Sequence, residues 1–185
     1  MSKAVLISIR PEWVEKILAG EKTLEVRKNR PRLELPFKCY IYETQGRTET
    51  PWIDEDGHTI FKGRGQVIGE FVCDKITWLT HIGFSGLPGI RLAAMKNGYT
   101  IDDSFDFPKS CLTTPKIEKY LGGKDGYAWH ISKLEIYDTP KKLSKFSRPF
   151  EICIGKVCDE YGCAYCENGG HIKRPPPSWC YVEEQ

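Results

Sequence analysis

The stretch Ala19-Gly-Glu-Lys-Thr-Leu-Glu-Val-Arg-Lys-Asn-Arg-Pro-Arg-Leu33 decides how this chain is read. Its centre alternates as a strand does. Leu24 and Val26 fall on one face, and Thr23, Glu25 and Arg27 fall on the other, with Lys22 just before them. Charge is concentrated here. Between Lys22 and Lys38 there are six Lys or Arg against two Glu, although the 185-residue chain carries a net charge of only +2. A near-neutral chain with one basic segment is not a polycation that coats nucleic acid. It has the composition expected of a discrete anion-binding patch. A Lys, a Glu and an Arg on one face can bind phosphate and also orient a polar base. The guanidinium is a planar fork of donors, the ammonium a point charge, and the carboxylate an acceptor for base amino groups.

On the N-terminal side, Ala4–Ile9 is a short apolar, β-branched run and reads as a buried strand. Pro11 suits the first position of a helix. Trp13, Val14, Ile17 and Leu18 share a helical face, and Gly20 supplies a stop. On the C-terminal side, Phe37–Thr44 reads as a strand, and Asp56-Gly57 as a hairpin turn between Trp52-Ile53 and Thr59–Phe61. Gln66–Trp78 reads as one long strand with Gly69 at a bulge or close approach. Leu92–Asn97 reads as a helical turn. A short helix is expected to be capped by Thr114, begun by Pro115 and ended by Gly122-Gly123, and Tyr127–Tyr137 reads as a last strand. A strand, a helix and then several strands do not alternate as a doubly wound sheet does. The expected class is α+β, a small mixed β-barrel flanked by short helices. Trp52, Trp78 and Trp129 are candidate base-stacking residues, although core packing is the stronger expectation for Trp129, which alternates with Ile131. The expected organisation is a main domain over residues 1–150 and a Cys-rich, Pro-containing extension over 151–185.

The order Ile-Ser-Ile-Arg-Pro, helix, then Gly20-x-Lys22-x-x-Glu25-x-Arg27 resembles the signature of the activating signal cointegrator homology (ASCH) family. Gln66-Val-Ile-Gly-Glu-Phe-Val and Tyr127-Ala-Trp-His-Ile-Ser-Lys-Leu-Glu-Ile-Tyr, followed by Pro140 and Leu143, are similar to its central and closing strands. The resemblance covers roughly residues 3–150. It implies a PUA-like barrel that binds RNA, a nucleotide or a modified base in a cleft lined by Lys22, Glu25 and Arg27. Arg10, Lys28 and Arg30 would then contact phosphates. It also implies a prokaryotic or phage origin. Some small members of the family are amidohydrolases acting on acetylated cytidine through a Lys, a Thr and a later Glu. Lys22 matches the first of these, but Glu25 stands three residues on where a Thr is wanted. Lys22 and Glu25 are therefore the candidate catalytic pair of a rival, enzymatic reading.

Eight cysteines are many for this length, and five of them, from Cys153 to Cys180, crowd the last 33 residues. Cys163-Ala-Tyr-Cys166 has the two-residue gap that suits two thiolates on one zinc. The expected ligand set is Cys158, Cys163, Cys166 and Cys180, a closed structural site, with Cys153 or His171 as substitutes. Clustering of this kind fits a metal site in a reducing compartment better than a disulfide framework. The N-terminus is too short and too quickly charged for a secretory signal, and no apolar run reaches the ~20 residues of a membrane span. The expected location is cytoplasmic. Pro175-Pro176-Pro177 reads as a rigid strap that lays Trp179 and Tyr181 on the barrel, or alternatively as the ligand of a protein partner.

Overall fold

The structure, a computed structural model, describes residues 2–45, 52–53, 59–60, 63–83, 90–96, 100–149 and 170–185. In chain order its strands and helices are β1 (Lys3–Ile9), α1 (Pro11–Leu18), β2 (Leu24–Arg27), β3 (Phe37–Glu43), β4 (Trp52–Ile53), β5 (Thr59–Ile60), β6 (Gln66–Cys73), β7 (Ile76–Gly83), β8 (Ile90–Lys96), β9 (Thr100–Ile101), α2 (Thr114–Leu121), β10 (Gly126–His130), β11 (Ser132–Lys141) and β12 (Trp179–Glu183). The chain forms two compact units. One comprises Met1–Glu15, Phe37–Val72 and Lys133–Gln185, and the other Lys16–Pro36 and Cys73–Ser132.

The first unit is built on a five-stranded sheet of order β11-β6-β3-β1-β12. β1 is its apolar interior strand, buried from Ala4 to Ile9, parallel to β3 and antiparallel to β12. A nearly continuous apolar run suits a strand covered on both faces, and its one polar member, Ser8, is buried with its hydroxyl bonded. Leu6, Tyr40, Val67, Phe146 and Val182 share a core, with Tyr40 and Phe146 edge to face at 4.9 Å. Gly69 is a close approach, as its isolation within a strand suggested. A Cβ there would run into the Glu135 carbonyl oxygen. The proline run is a strap. Pro176 is buried. The Ser8 hydroxyl donates to its carbonyl at 2.7 Å, and the Ser8 N–H donates to the Ser178 carbonyl at 2.9 Å. The strap leads into β12, where Trp179 pairs with Ile7 and Tyr181 with Val5. This strand ties the C-terminal segment into the first unit.

The second unit is built on a five-stranded sheet of order β2-β10-β7-β8-β9. One face carries Leu24, Val26, Leu79, Leu92, Ala94 and Ala128, packed against Ile117 and Leu121 of α2. α2 ends at Gly122, whose φ of +66° is the left-handed conformation that favours glycine.

Several expectations are corrected. The 66–78 run is two strands, because Asp74-Lys75 carries the chain from the first sheet to the second. The 127–137 run divides at Ile131 for the same reason, and the His130 and Ile131 N–H groups bond to the Lys75 and Thr23 carbonyls instead. Residues 92–96 are strand and not a helical turn. Pairing with β7, which sets Leu79 opposite Ala94 and Trp78 opposite Met95, overrides the helical preference of Leu-Ala-Ala-Met-Lys. The N-cap of α2 is Thr113 and not Thr114, and its side chain makes no capping bond. The hairpin ladder of β4 and β5 pairs Trp52 with Ile60 and Ile53 with Thr59, and its Asp56-Gly57 turn lies outside the described residues. No helix among the described residues is long and apolar enough to cross a membrane.

Candidate nucleic-acid interface

The face of the second sheet opposite α2 carries the site. Register places its residues in rows. Arg27 is opposite Tyr127, Tyr127 opposite Trp78, and Trp78 opposite Met95. In the neighbouring row Glu25 is opposite Trp129, and Trp129 opposite Ile76. Side chains in register on adjacent strands share a face. One surface therefore brings together the charged residues of β2 and the aromatic residues of β10 and β7.

Lys22, Glu25 and Arg27 form a buried ion cluster at one side of this face, with Lys22 only 2% exposed. The Lys22 Nζ lies 3.1 Å from Glu25 Oε2, and Arg27 donates to Glu25 Oε1 at 2.9 Å. Lys22 also donates to the Leu24 carbonyl at 2.8 Å and the Ser110 carbonyl at 2.7 Å. Three oxygens thus match the three N–H bonds of an ammonium, which has no lone pair to offer. Burial alone would raise the Glu25 carboxyl, but the charges and hydrogen bonds of Lys22 and Arg27 outweigh it and hold that group below the usual carboxylate range. Glu25 is thus an ionised acceptor. The Ser110 carbonyl belongs to the 3₁₀ turn Phe107–Ser110, so Lys22 ties the start of β2 to that turn. The Lys109 carbonyl adds to the tie by accepting the Thr23 N–H at 2.9 Å.

Beyond the cluster the same face opens into a cavity of about 640 Å³, lined by Arg30, Lys75, Ile76, Thr77, Trp78, Met95, Lys96, Asp102, Ser104 and Tyr127. Arg30 and Lys75 are exposed, and among the described residues neither takes part in an ion pair. Arg30 lies over the Tyr127 ring at 5.8 Å, and Lys28 over the Tyr120 ring at 5.2 Å. Asp102 Oδ1 accepts the Ser104 hydroxyl at 2.6 Å and the Ser104 N–H at 3.2 Å. The Ser104 hydroxyl first, with the charges of Lys75 and Lys96 also contributing, holds the Asp102 carboxyl below its ordinary range.

Of the residues expected from sequence, Lys22, Glu25 and Arg27 are brought together, and Lys28 and Arg30 follow them in the same unit. Arg10 is exposed in the first unit, 3.8 Å from Glu12. Among the candidate stacking residues, Trp78 lines the cavity and is half-buried, while Trp129 is fully buried. The side chain of Trp52 lies outside the described residues, as do Cys153, Cys158, Cys163 and Cys166. Cys180 is on β12 opposite Leu6, against the first unit's core, where burial pushes its thiol up to about 11. His171 is exposed, with Nδ1 3.1 Å from the Ser147 hydroxyl. Lys75, Met95, Lys96, Asp102 and Tyr127 carry no local sequence signal that marks them as site residues. Met95 and Lys96 are on β8 and Tyr127 is on β10, while Lys75 precedes β7 and Asp102 follows β9, so they meet only through the sheet register.

The mixed α+β content, mostly sheet with two short helices, matches the ASCH/PUA-like fold. The ASCH domain model matches residues 7–100, and the chain belongs to the ASCH domain family, whose PUA-like members are proposed to bind RNA. Similar solved structures include the crystal structure of ASCH from Zymomonas mobilis, at 16% identity and a TM-score of 0.53, covering 98% of this chain and 88% of that one. Two single-residue variants of the same protein, ZmASCH, one serine-to-alanine and one tyrosine-to-phenylalanine, match with the same identity and TM-score. The first covers 98% of this chain and 89% of its own, and the second 99% and 92%. At this identity the likeness is one of fold. No curated protein matches.

Proposed function

We propose that this ASCH domain binds RNA on the charged and aromatic face of its second unit. The reading is supported by one observation: the strand bearing Glu25 and Arg27 of the Gly20-x-Lys22-x-x-Glu25-x-Arg27 motif continues, through sheet register, into an open surface of cations and rings. The buried Lys22, Glu25 and Arg27 fix the base of that face, and Lys28 and Arg30 supply phosphate contacts, with Arg10 a further exposed cation on the first unit. Counterion release makes such binding salt-dependent. The test is direct binding of a panel of RNAs to the full chain and to a Lys28→Glu, Arg30→Glu double variant. The expected result is binding that falls steeply with salt and drops at least tenfold in the double variant. Lys145→Glu, an exposed change in the first unit, should leave binding unchanged. Failure of the full chain to bind any RNA overturns the reading.

We also propose a structural zinc held by Cys158, Cys163, Cys166 and Cys180, with His171 or Cys153 as an alternative ligand. The Cys163-x-x-Cys166 spacing supports it, and β12 fixes where Cys180 stands. A four-thiolate site is closed and leaves no open position for catalysis. Metal analysis should find about one zinc per chain, lost in Cys163→Ser. A metal-free wild-type protein purified without chelators would remove this proposal.

A further inference from the structure

We propose that the cavity beside the ion cluster holds one unpaired base of a single-stranded RNA. The base stacks on Trp78 and Tyr127, the flanking phosphates lie against Arg30, Lys75 and Lys96, and Asp102 accepts from an exocyclic amino group. The inference rests on the reading that the domain binds RNA, and it names the form of RNA and the subsite.

Three features of the cavity converge on this ligand. The first is size. About 640 Å³ falls inside the range of small-ligand pockets and accommodates a nucleotide. A duplex cannot use such a pocket, because its base faces are hidden in the stack. Recognition through ring stacking therefore requires an unpaired base. The second is chemistry. Two aromatic rings from paired positions of β10 and β7 stand in one row, with the Met95 side chain as the next member. Arg30 lies over the Tyr127 ring, so a base stacking on that face displaces its guanidinium toward the flanking phosphate. Three cations border the rings. A purely apolar ligand would make no use of those cations, and a bare inorganic anion would leave the rings unused. A base joined to phosphates uses both.

The third feature is the single carboxylate. Asp102 is ionised and has one oxygen engaged by Ser104. A carboxylate among three cations is unfavourable for a phosphate at that spot but suits an amino group donor. Cytosine, adenine and guanine carry such a group and uracil does not. The cavity therefore discriminates against uracil.

The buried ion cluster plays a different part. Its Lys22 already faces three oxygens, so the cluster orders the 3₁₀ turn and β2 beside the cavity without contacting the base. Lys22 and Glu25 are positioning residues in this account.

The experiment measures fluorescence anisotropy with the full chain and labelled octamers of cytidylate, adenylate and uridylate, a blunt RNA duplex, and unlabelled cytidine 5′-monophosphate as competitor. The cytidylate octamer should bind at least tenfold more tightly than the duplex and severalfold more tightly than the uridylate octamer. Trp78→Ala should weaken it tenfold or more, with Trp78→Phe restoring most of the loss. Lys75→Glu with Lys96→Glu, both exposed and therefore tolerated by the fold, should weaken it at least as much. Asp102→Asn should erase the difference between cytidylate and uridylate. Wild-type RNA binding that persists unchanged in the Trp78 and Lys variants overturns the subsite and leaves the RNA-binding reading standing. Absence of all RNA binding overturns both. Monophosphate binding as tight as the octamer shows a free-nucleotide pocket and overturns the RNA assignment. Equal binding of the cytidylate and uridylate octamers overturns the role of Asp102.

Discussion

The ion cluster and the cavity lie on one face of one sheet, and they use the same kinds of residue to opposite ends. In the cluster, Lys22, Glu25 and Arg27 are buried and face one another at 2.9–3.1 Å. In the cavity, Arg30, Lys75 and Lys96 are exposed beside half-buried rings. Burial makes each charge dependent on its partners, because a desolvated ion left alone is costly. Exposure leaves a cation hydrated and available to exchange water for a ligand's phosphate. The motif residues thus hold the geometry that the cavity residues use.

The sharpest way to break this division is Glu25→Ala. It leaves two cations buried without their shared carboxylate, and removing one partner of a buried pair costs about 3–5 kcal/mol. At the usual dependence for a domain of this size, thermal denaturation should shift down by roughly 6–20 °C. A shift below 2 °C would show that the cluster is not a stability element. Acid sharpens the same point. The Glu25 carboxyl is held below its ordinary value in the fold. The stability this contributes is present in full above the unfolded-state carboxylate range and is lost as pH falls through the lower, folded value. Melting temperature should therefore decline on acidification below that range, and it should decline less in Glu25→Gln. The smallest effect belongs to the cavity. Lys75→Ala should leave the melting temperature within about 1 °C, as exposed substitutions do. It should reduce the slope of log binding constant against log salt by about 0.7, the value for one phosphate contact on a single strand.

How much of this was legible beforehand follows from the range of each signal. β1 and β3 are dominated by apolar and aromatic residues, and they appear within a residue of the expected bounds. The alternation of Leu24, Glu25, Val26 and Arg27 is local, and it placed Glu25 and Arg27 on one face. Local alternation does not say which face is covered, and the placing of Glu25 opposite the buried Trp129 emerges only from the pairing of β2 with β10. The breaks at Asp74-Lys75 and Ile131 were illegible because both flanks have strand composition. What divides them is the exchange of pairing partners between two sheets. The cavity was legible only at Arg30 and Trp78. Its remaining lining residues are spread from Lys75 to Tyr127 and converge only once the register of β10, β7 and β8 is set. The proline strap is legible because three prolines restrict the chain wherever they stand. The β12 ladder after it rests on a long-range pairing with β1.

The most direct test of the division is ultraviolet crosslinking of a cytidylate octamer to the full chain, with the modified peptides identified by mass spectrometry. Crosslinks are expected on the peptides bearing Trp78 and Tyr127, with no adduct on Lys22, Glu25 or Arg27. Crosslinks confined to the 22–27 segment, or to the first unit, would contradict the account.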